Sequence, residues 1–335
     1  MKRVKEDIPL EEWEIFRPLY GASFSSSEML ELGCYKIYSI AKYQEHVQAI
    51  PNSDSLLDIS SPDPKNHLVI SIRVDAHDSA KAKVLADIKF HQFDNIIRYM
   101  LGNSHRFWDV AVFNYIGTYL LKNACLSSTG WESNHTIDGV VDIVELDGNF
   151  PVPVPFEEMG QEYFKDYKFQ QFFKNPHLGH EWIWNILSKP KPTNLQGRLI
   201  SAIEWTGKSL RDSDKSRAFV QLVFALESLF TFKEKGVLVS PGIASQISEF
   251  SAFILGSDYE SRTQTEEAVK DIYAKRSGIV HGGNKHISEQ DFREALSLVK
   301  KLISKMTTDP TLRDIPTSKD LNNWVKKQKY SYGEK

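Results

Sequence analysis

Hydrophobic and polar positions change their period partway along the chain. From His67 to Val74 they alternate, with Leu68, Ile70, Ile72 and Val74 on one side, which predicts a strand. The Asp75-Ala-His-Asp78 stretch that follows suits a helix cap. Val84, Leu85, Ile88, Phe93, Ile96, Ile97 and Met100 then recur at helical spacing up to Gly102-Asn103. Phe107–Phe113 and Gly139–Leu146 predict further strands between polar, turn-rich stretches. Residues 1–190 therefore read as an α+β module. The alternate prolines of Asn149–Phe156 favour an extended, unpaired backbone, and a second proline-rich break, Ser188–Asn194, marks the main boundary.

Beyond that break every period is helical, and residues 194–308 read as an all-α bundle. Leu195, Leu199, Ala202, Ile203 and Thr206 form the stripe of a first helix, and Ala218, Leu222, Ala225, Leu226 and Leu229 that of a second. A third is framed by Ser240 as cap, Pro241 in the first turn and Gly256 as stop. The fourth runs from about Glu260 to His281 and closes on Gly282-Gly283. The fifth opens with Ser288 as cap, Asp291 at the box position and Ile287 able to staple onto Phe292. Its stripe of Phe292, Leu296, Val299, Leu302, Ile303 and Met306 is unbroken. Residues 309–335, broken by prolines and rich in lysine, read as a mobile or partner-bound tail.

Composition narrows the function classes. A chain of 335 residues has room for two domains, and a formal net charge of −3 argues against a generally basic nucleic-acid coat, so any RNA contact must be local. The N-terminal segment carries acids within its first ten residues and no apolar run, which predicts no secretory leader, and no stretch of about 18 apolar residues predicts a membrane span. With only Cys34 and Cys125, far apart, neither a disulfide framework nor a zinc ribbon is expected, and a reducing cytoplasm fits best.

The fourth helix holds the chemistry. Thr265, Val269, Ile272, Ile279 and Val280 form its apolar stripe, and Arg276 falls within that stripe, four residues after Ile272. A guanidinium there needs a carboxylate inside the bundle, for which Glu227 on the second helix is the candidate, or a second subunit across the stripe. His281 lies about 140° further round an ideal helix, so one helix cannot aim both side chains at one point. Two copies related by a two-fold axis can. Such a cleft suits metal-free RNA cleavage. A histidine, with an ordinary pKa of about 6.5, can take a proton from a ribose 2′-hydroxyl or give one to the leaving 5′-oxygen. Arg276 can brace the phosphate charge, and Ser277 can add a hydrogen bond. The bland alternative is that His281 caps carbonyls at a helix C-terminus while Arg276 only pairs with Glu227.

The order SAIEWTGKSL, FVQLVFALESLF, DIYAKRSGIVHGG and then a capped amphipathic helix resembles the HEPN superfamily, in particular its ApeA-like branch, over Asn194 to Met306. The resemblance does not reach the α+β half. It implies a helical bundle that dimerises and a metal-independent endoribonuclease with an R-x4-6-H motif. Arg276 and His281 match that motif with four intervening residues, and Ser277 matches the polar residue usual after the arginine. It also implies a setting in phage defence, abortive infection or toxin action, with RNA as substrate and a regulatory partner or phage-derived trigger possible. Some members of the superfamily bind without cutting, so a non-catalytic RNA- or protein-binding scaffold is the alternative. No metal or other cofactor is expected.

Two further constellations carry less. His177, His180 and Glu181 in HLGHEW could share a metal on a helix, but no third ligand is evident and Gly179 favours a loop. The acids of Asp75–Asp78 resemble metal ligands at a strand end, though a helix cap explains them more cheaply. No phosphate-binding glycine loop, serine elbow or repeat is present.

Overall fold

A computed structural model of the chain describes residues 9–19, 22–23, 29–39, 68–101, 154–155, 173–212, 214–231, 242–282 and 286–331. The strands expected at Phe107–Phe113 and Gly139–Leu146 lie outside the described residues. The chain forms two compact units, one of Met1–Asp94 with Asn103–Phe172 and the other of Asn95–Gly102 with Phe173–Lys335.

The first unit holds β1 (Glu11–Leu19), β2 (Ala22–Ser23), β3 (Leu30–Leu32), β4 (Tyr35–Ser39), β5 (Leu68–Ala76) and the first turns of α1 (Ser79–Leu101). Four strands make an antiparallel sheet in the order β1-β5-β4-β3, with Ile15 opposite Ile72 and Tyr35 opposite Ile72 on the other side. Alternation puts Tyr35, Ile37, Ile70, Ile72 and Ala76 in the core. On α1, Asp78 accepts from the Lys81 amide at 2.7 Å and is the expected cap, while Asp75 lies in β5 opposite Glu12.

The buried line of α1 matches the expected stripe at Phe93, Ile96, Ile97 and Met100 but not in the first half of the helix, where it runs through Ala82, Ala86 and Phe90 while Val84 and Ile88 are 52% and 60% exposed. Small alanines let the helix lie close to the sheet, where the Tyr35 hydroxyl donates to the Lys89 carbonyl at 2.8 Å and its ring meets Phe93 at 5.0 Å. The proline-rich strand is not wholly unpaired either. Val154–Pro155, β6, bridges β2 in parallel, as proline tolerates at a short edge.

The second unit is helical: α2 (His180–Leu187), α3 (Asn194–Arg211), α4 (Lys215–Phe230), α5 (Ile243–Leu255), α6 (Tyr259–His281), α7 (Glu289–Thr308), the short α8 (Pro310–Arg313) and α9 (Ser318–Tyr330). Every residue of the expected stripes on α3, α4 and α7 is buried. Local chemistry sets the starts. Thr193 with Gln196, Asp258 with Ser261, and Ser288 with Asp291 form reciprocal capping boxes. The cap of α5 is Gly242, with no side chain to offer, rather than Ser240.

Two departures, at the Ser188–Asn194 break and in the C-terminal segment, follow from tertiary packing. The Ser188–Asn194 break joins two helices of one unit and does not divide the chain, because Ile183, Trp184 and Ile186 of α2 need cover and the Trp184 indole donates to Phe173 at 2.8 Å. A 3₁₀ turn, Pro176–Leu178, leads into α2 through Gly179, whose positive φ of 75° and close approach to Thr307 on α7, 2.5 Å from an added Cβ to the threonine Cβ, both exclude a side chain. Residues 309–331, expected as a tail, fold back instead. Leu312, Leu321 and Val325 are buried, the Leu195 amide donates to Pro316, and the Ser318 hydroxyl meets Asn194 at 3.1 Å. Leu321→Ala should therefore cost about 2–4 kcal/mol, read as a lower melting temperature of the full chain. A mobile tail would leave that temperature unchanged.

Candidate functional site at the end of helix α6

Helix α6 is 23 residues long and folds back on the 13-residue α5, so it is about 15 Å the longer of the two. Arg262 fastens the start, donating to the Gly256 carbonyl at 3.1 Å and stacking on Phe253 at 4.3 Å. Only Val269 and Ile272 are fully buried. The stripe expected to continue through Ile279 and Val280 is less covered there: Ile279 is half-buried and Val280 is 48% exposed.

The two site residues expected to act on RNA sit differently. His281 is the last residue of α6 and is exposed, as is Ser277. Arg276 is half-buried, and its Nε is buried with no hydrogen-bond acceptor. Among the described residues no hydrogen bond or ion pair joins Arg276 to His281 or to Glu227. The direct Glu227–Arg276 pair expected from the sequence is thus not formed in a single chain. Glu227 Oε1 instead accepts from the Tyr273 hydroxyl at 3.3 Å. Burial, and then the Glu227 carboxylate beside it, push the Tyr273 phenol well above its ordinary range, while the nearby Arg276 charge opposes the rise. Tyr273 therefore stays a donor.

Sequence reasoning missed Tyr273 and two supporting cations. Arg198 of α3 closes the end of α4, donating to the carbonyls of Glu227 and Leu229 at 3.3 Å and to that of Thr231, which fixes the backbone that carries Glu227. Lys275 pairs with Asp271 at 2.5 Å and with Asp291 at 2.6 Å, tying α6 to the cap of α7. Lys275 and Ser288 hold the Asp291 carboxyl down to about 2. The one available signal was spacing: Tyr273 precedes Arg276 by three residues and so shares its face.

Because Glu227 is half-buried and satisfied by a neutral donor, Glu227→Ala should cost about 1–2 kcal/mol and not the 3–5 kcal/mol of a broken buried ion pair. Tyr273→Phe should cost about 1 kcal/mol. Chemical denaturation of the two variants and their double should show less than additive losses; full additivity would mean the contact carries nothing.

The HLGHEW histidines separate. His180 is buried where α2 begins and His177 is exposed, and among the described residues no group of three or more His, Cys, Asp or Glu side chains converges as a metal site. No described helix is long and apolar enough to cross a membrane. No protein-family model, curated protein or solved structure matches the chain.

Proposed function

We propose that the chain is a metal-independent endoribonuclease whose site is shared by two copies, each supplying Arg276 and His281 from the end of α6. The observation that carries this reading is the guanidinium of Arg276. It holds a buried Nε with no acceptor, next in sequence to an open hydroxyl, Ser277, and about one and a half helical turns before an open imidazole, His281. A half-buried guanidinium joined to no carboxylate, on the same helix end as an accessible imidazole, suits a phosphate that arrives from solvent. About 140° of rotation separates the arginine from the histidine on one helix, so two copies must complete the cleft. Exposed Val280 and half-buried Ile279 at the same place supply apolar surface for that pairing.

In this mechanism His281 moves the proton at the ribose 2′-hydroxyl or the 5′-oxygen, Arg276 stabilises the charge on the phosphate, and Ser277 donates to the same group. Tyr273 and Glu227, hydrogen-bonded to each other, lie near enough to Arg276 for its charge to act on the Tyr273 phenol. The sheet-bearing unit would act as a sensor or restraint, answering a regulatory partner or phage-derived trigger, in the defence or toxin setting that the resemblance to HEPN proteins implies. The same exposed apolar residues also fit a scaffold that docks a partner and cuts nothing.

Sedimentation should find a dimer at micromolar concentration, with Val280→Glu shifting the chain towards monomer because it places charge on the pairing surface. A parent that sediments as a monomer throughout would exclude the shared cleft. Incubation of the purified chain with single-stranded RNA in EDTA separates the two readings: the nuclease degrades it and the scaffold does not.

A further inference from the structure

Where α6 meets the end of α4, two opposite charges lie close together without neutralising each other. Among the described residues neither Arg276 nor Glu227 joins an ion pair, with the other or with any third group. They are neighbours all the same, since both charges act on the Tyr273 phenol. Of the two Glu227 carboxylate oxygens, Oε1 accepts from the Tyr273 hydroxyl at 3.3 Å. Oε2 accepts from no described residue and is not sealed from solvent as the Arg276 Nε is.

The cation at this end of α4, Arg198, is spent on the main chain, donating to the carbonyls of Glu227, Leu229 and Thr231 and not to the carboxylate. A carboxylate with an open oxygen accepts strongly from an N–H that reaches it. It also repels phosphate, so it cannot hold the backbone of a nucleic acid. That part falls to the guanidinium, and the strand's phosphates lie from Arg276 towards His281, away from Glu266 and Glu267 nearer the helix start. What remains for Glu227 is a base. An ionised carboxylate only accepts, and guanine alone among the four RNA bases sets two donors side by side, N1–H and the N2 amino group, on the edge that a single strand exposes. Adenine and cytosine set one donor beside one acceptor, and uracil places its one N–H between two acceptors. Each of those three opposes a lone pair to the carboxylate.

We infer that Glu227 is the base-reading residue of the site, accepting from N1–H and the N2 amino group of a guanine whose nucleotide sets its phosphate on Arg276. Tyr273 is a positioning residue, holding the carboxylate through Oε1. This rests on the reading of the chain as a ribonuclease and names the nucleotide beside which it cuts. The contact needs no second copy, since Glu227, Tyr273 and Arg276 belong to one chain.

The test measures binding and cutting separately on the full chain. Fluorescence anisotropy with labelled 2′-O-methyl UUGUU and its inosine, adenosine and uridine counterparts, none with a free 2′-hydroxyl to attack, reads binding alone. The parent should bind the guanosine probe on the order of 10-fold more tightly than the uridine probe. Inosine, which keeps N1–H and lacks the amino group, should fall between them, a comparison that uses the parent alone and so cannot be confused with misfolding. Glu227→Gln keeps an acceptor for the Tyr273 hydroxyl but presents one donor with one acceptor, the complement of adenine. It should lose the guanosine preference and bind the adenosine probe at least as tightly. Tyr273→Phe should narrow the guanosine preference without changing the order of the probes. Equal binding of all four probes, no binding of any by the parent, or a guanosine preference kept by Glu227→Gln overturns the inference. A guanosine preference without cleavage that depends on His281 upholds the base contact and removes the nuclease; cleavage that depends on His281 and falls at all four bases alike removes the base contact alone.

Discussion

His281→Ala is expected to lose 10² to 10⁴-fold in the rate of RNA cleavage while folding and dimerising as the parent does. The size follows from its proposed role, since a positioned general acid or base contributes about that factor. The spared fold follows from the structure: His281 is exposed at the end of α6, and the cap there is a backbone bond from Gly282 to Gly278 that alanine leaves in place. Arg276→Lys should be comparably inactive, because lysine keeps the charge and loses the planar fork that braces a phosphate. Cleavage should persist in EDTA and leave a 2′,3′-cyclic phosphate with a 5′-hydroxyl, because the nucleophile is the ribose itself, and DNA should resist for want of that hydroxyl. The measurement is product-end analysis of parent and His281→Ala side by side. Equal rates in both, or an absolute need for Mg²⁺, would remove the mechanism.

What the sequence disclosed and what it hid divide by range. Helix starts were legible at Ser288 and Asp291 because a capping box is four consecutive residues, complete in themselves. The stripes of α3, α4 and α7 were legible because a period of 3.6 survives whatever packs against it. The inner face of α1 was legible from Phe93 to Met100 but not before it, since Ala82 and Ala86, though fully buried, carry little hydrophobic signal. The C-terminal segment was misread for a related reason. Pro310 looks like a breaker, yet it occupies the first turn of α8 behind the cap Asp309, a position where its missing N–H costs nothing. At the candidate site the residue types and their spacing along α6 could be read from the chain. The partner of Glu227 could not, because Tyr273 and Arg276 share a face and only the depth of packing decides which reaches it.

The deepest such choice lies on α3, where two glycines ten residues apart should answer the same substitution with opposite signs. Gly197 is exposed and a Cβ added there meets nothing within 4 Å, so Gly197→Ala should stabilise the chain by about 0.5–1 kcal/mol through helix propensity. At Gly207 an added Cβ would come within 2.6 Å of the Asn95 Cα and carbonyl carbon, and closer still to the carbonyl oxygen. Those are backbone atoms of α1 and cannot rotate away. Around them the packing is closed: Thr206, Asn95 and Tyr99 are buried, and Lys300 lies over the Tyr99 ring at 5.4 Å. The two helices must separate to admit even a methyl group, which exposes the neighbours of both. Gly207→Ala should cost about 3 kcal/mol, and Gly207→Leu more than about 4 kcal/mol, in the range reserved for disrupted cores. Thermal melting of the two alanine variants beside the parent checks the sign at each position. A Gly207→Ala protein as stable as Gly197→Ala would mean that α1 and α3 do not meet backbone to backbone.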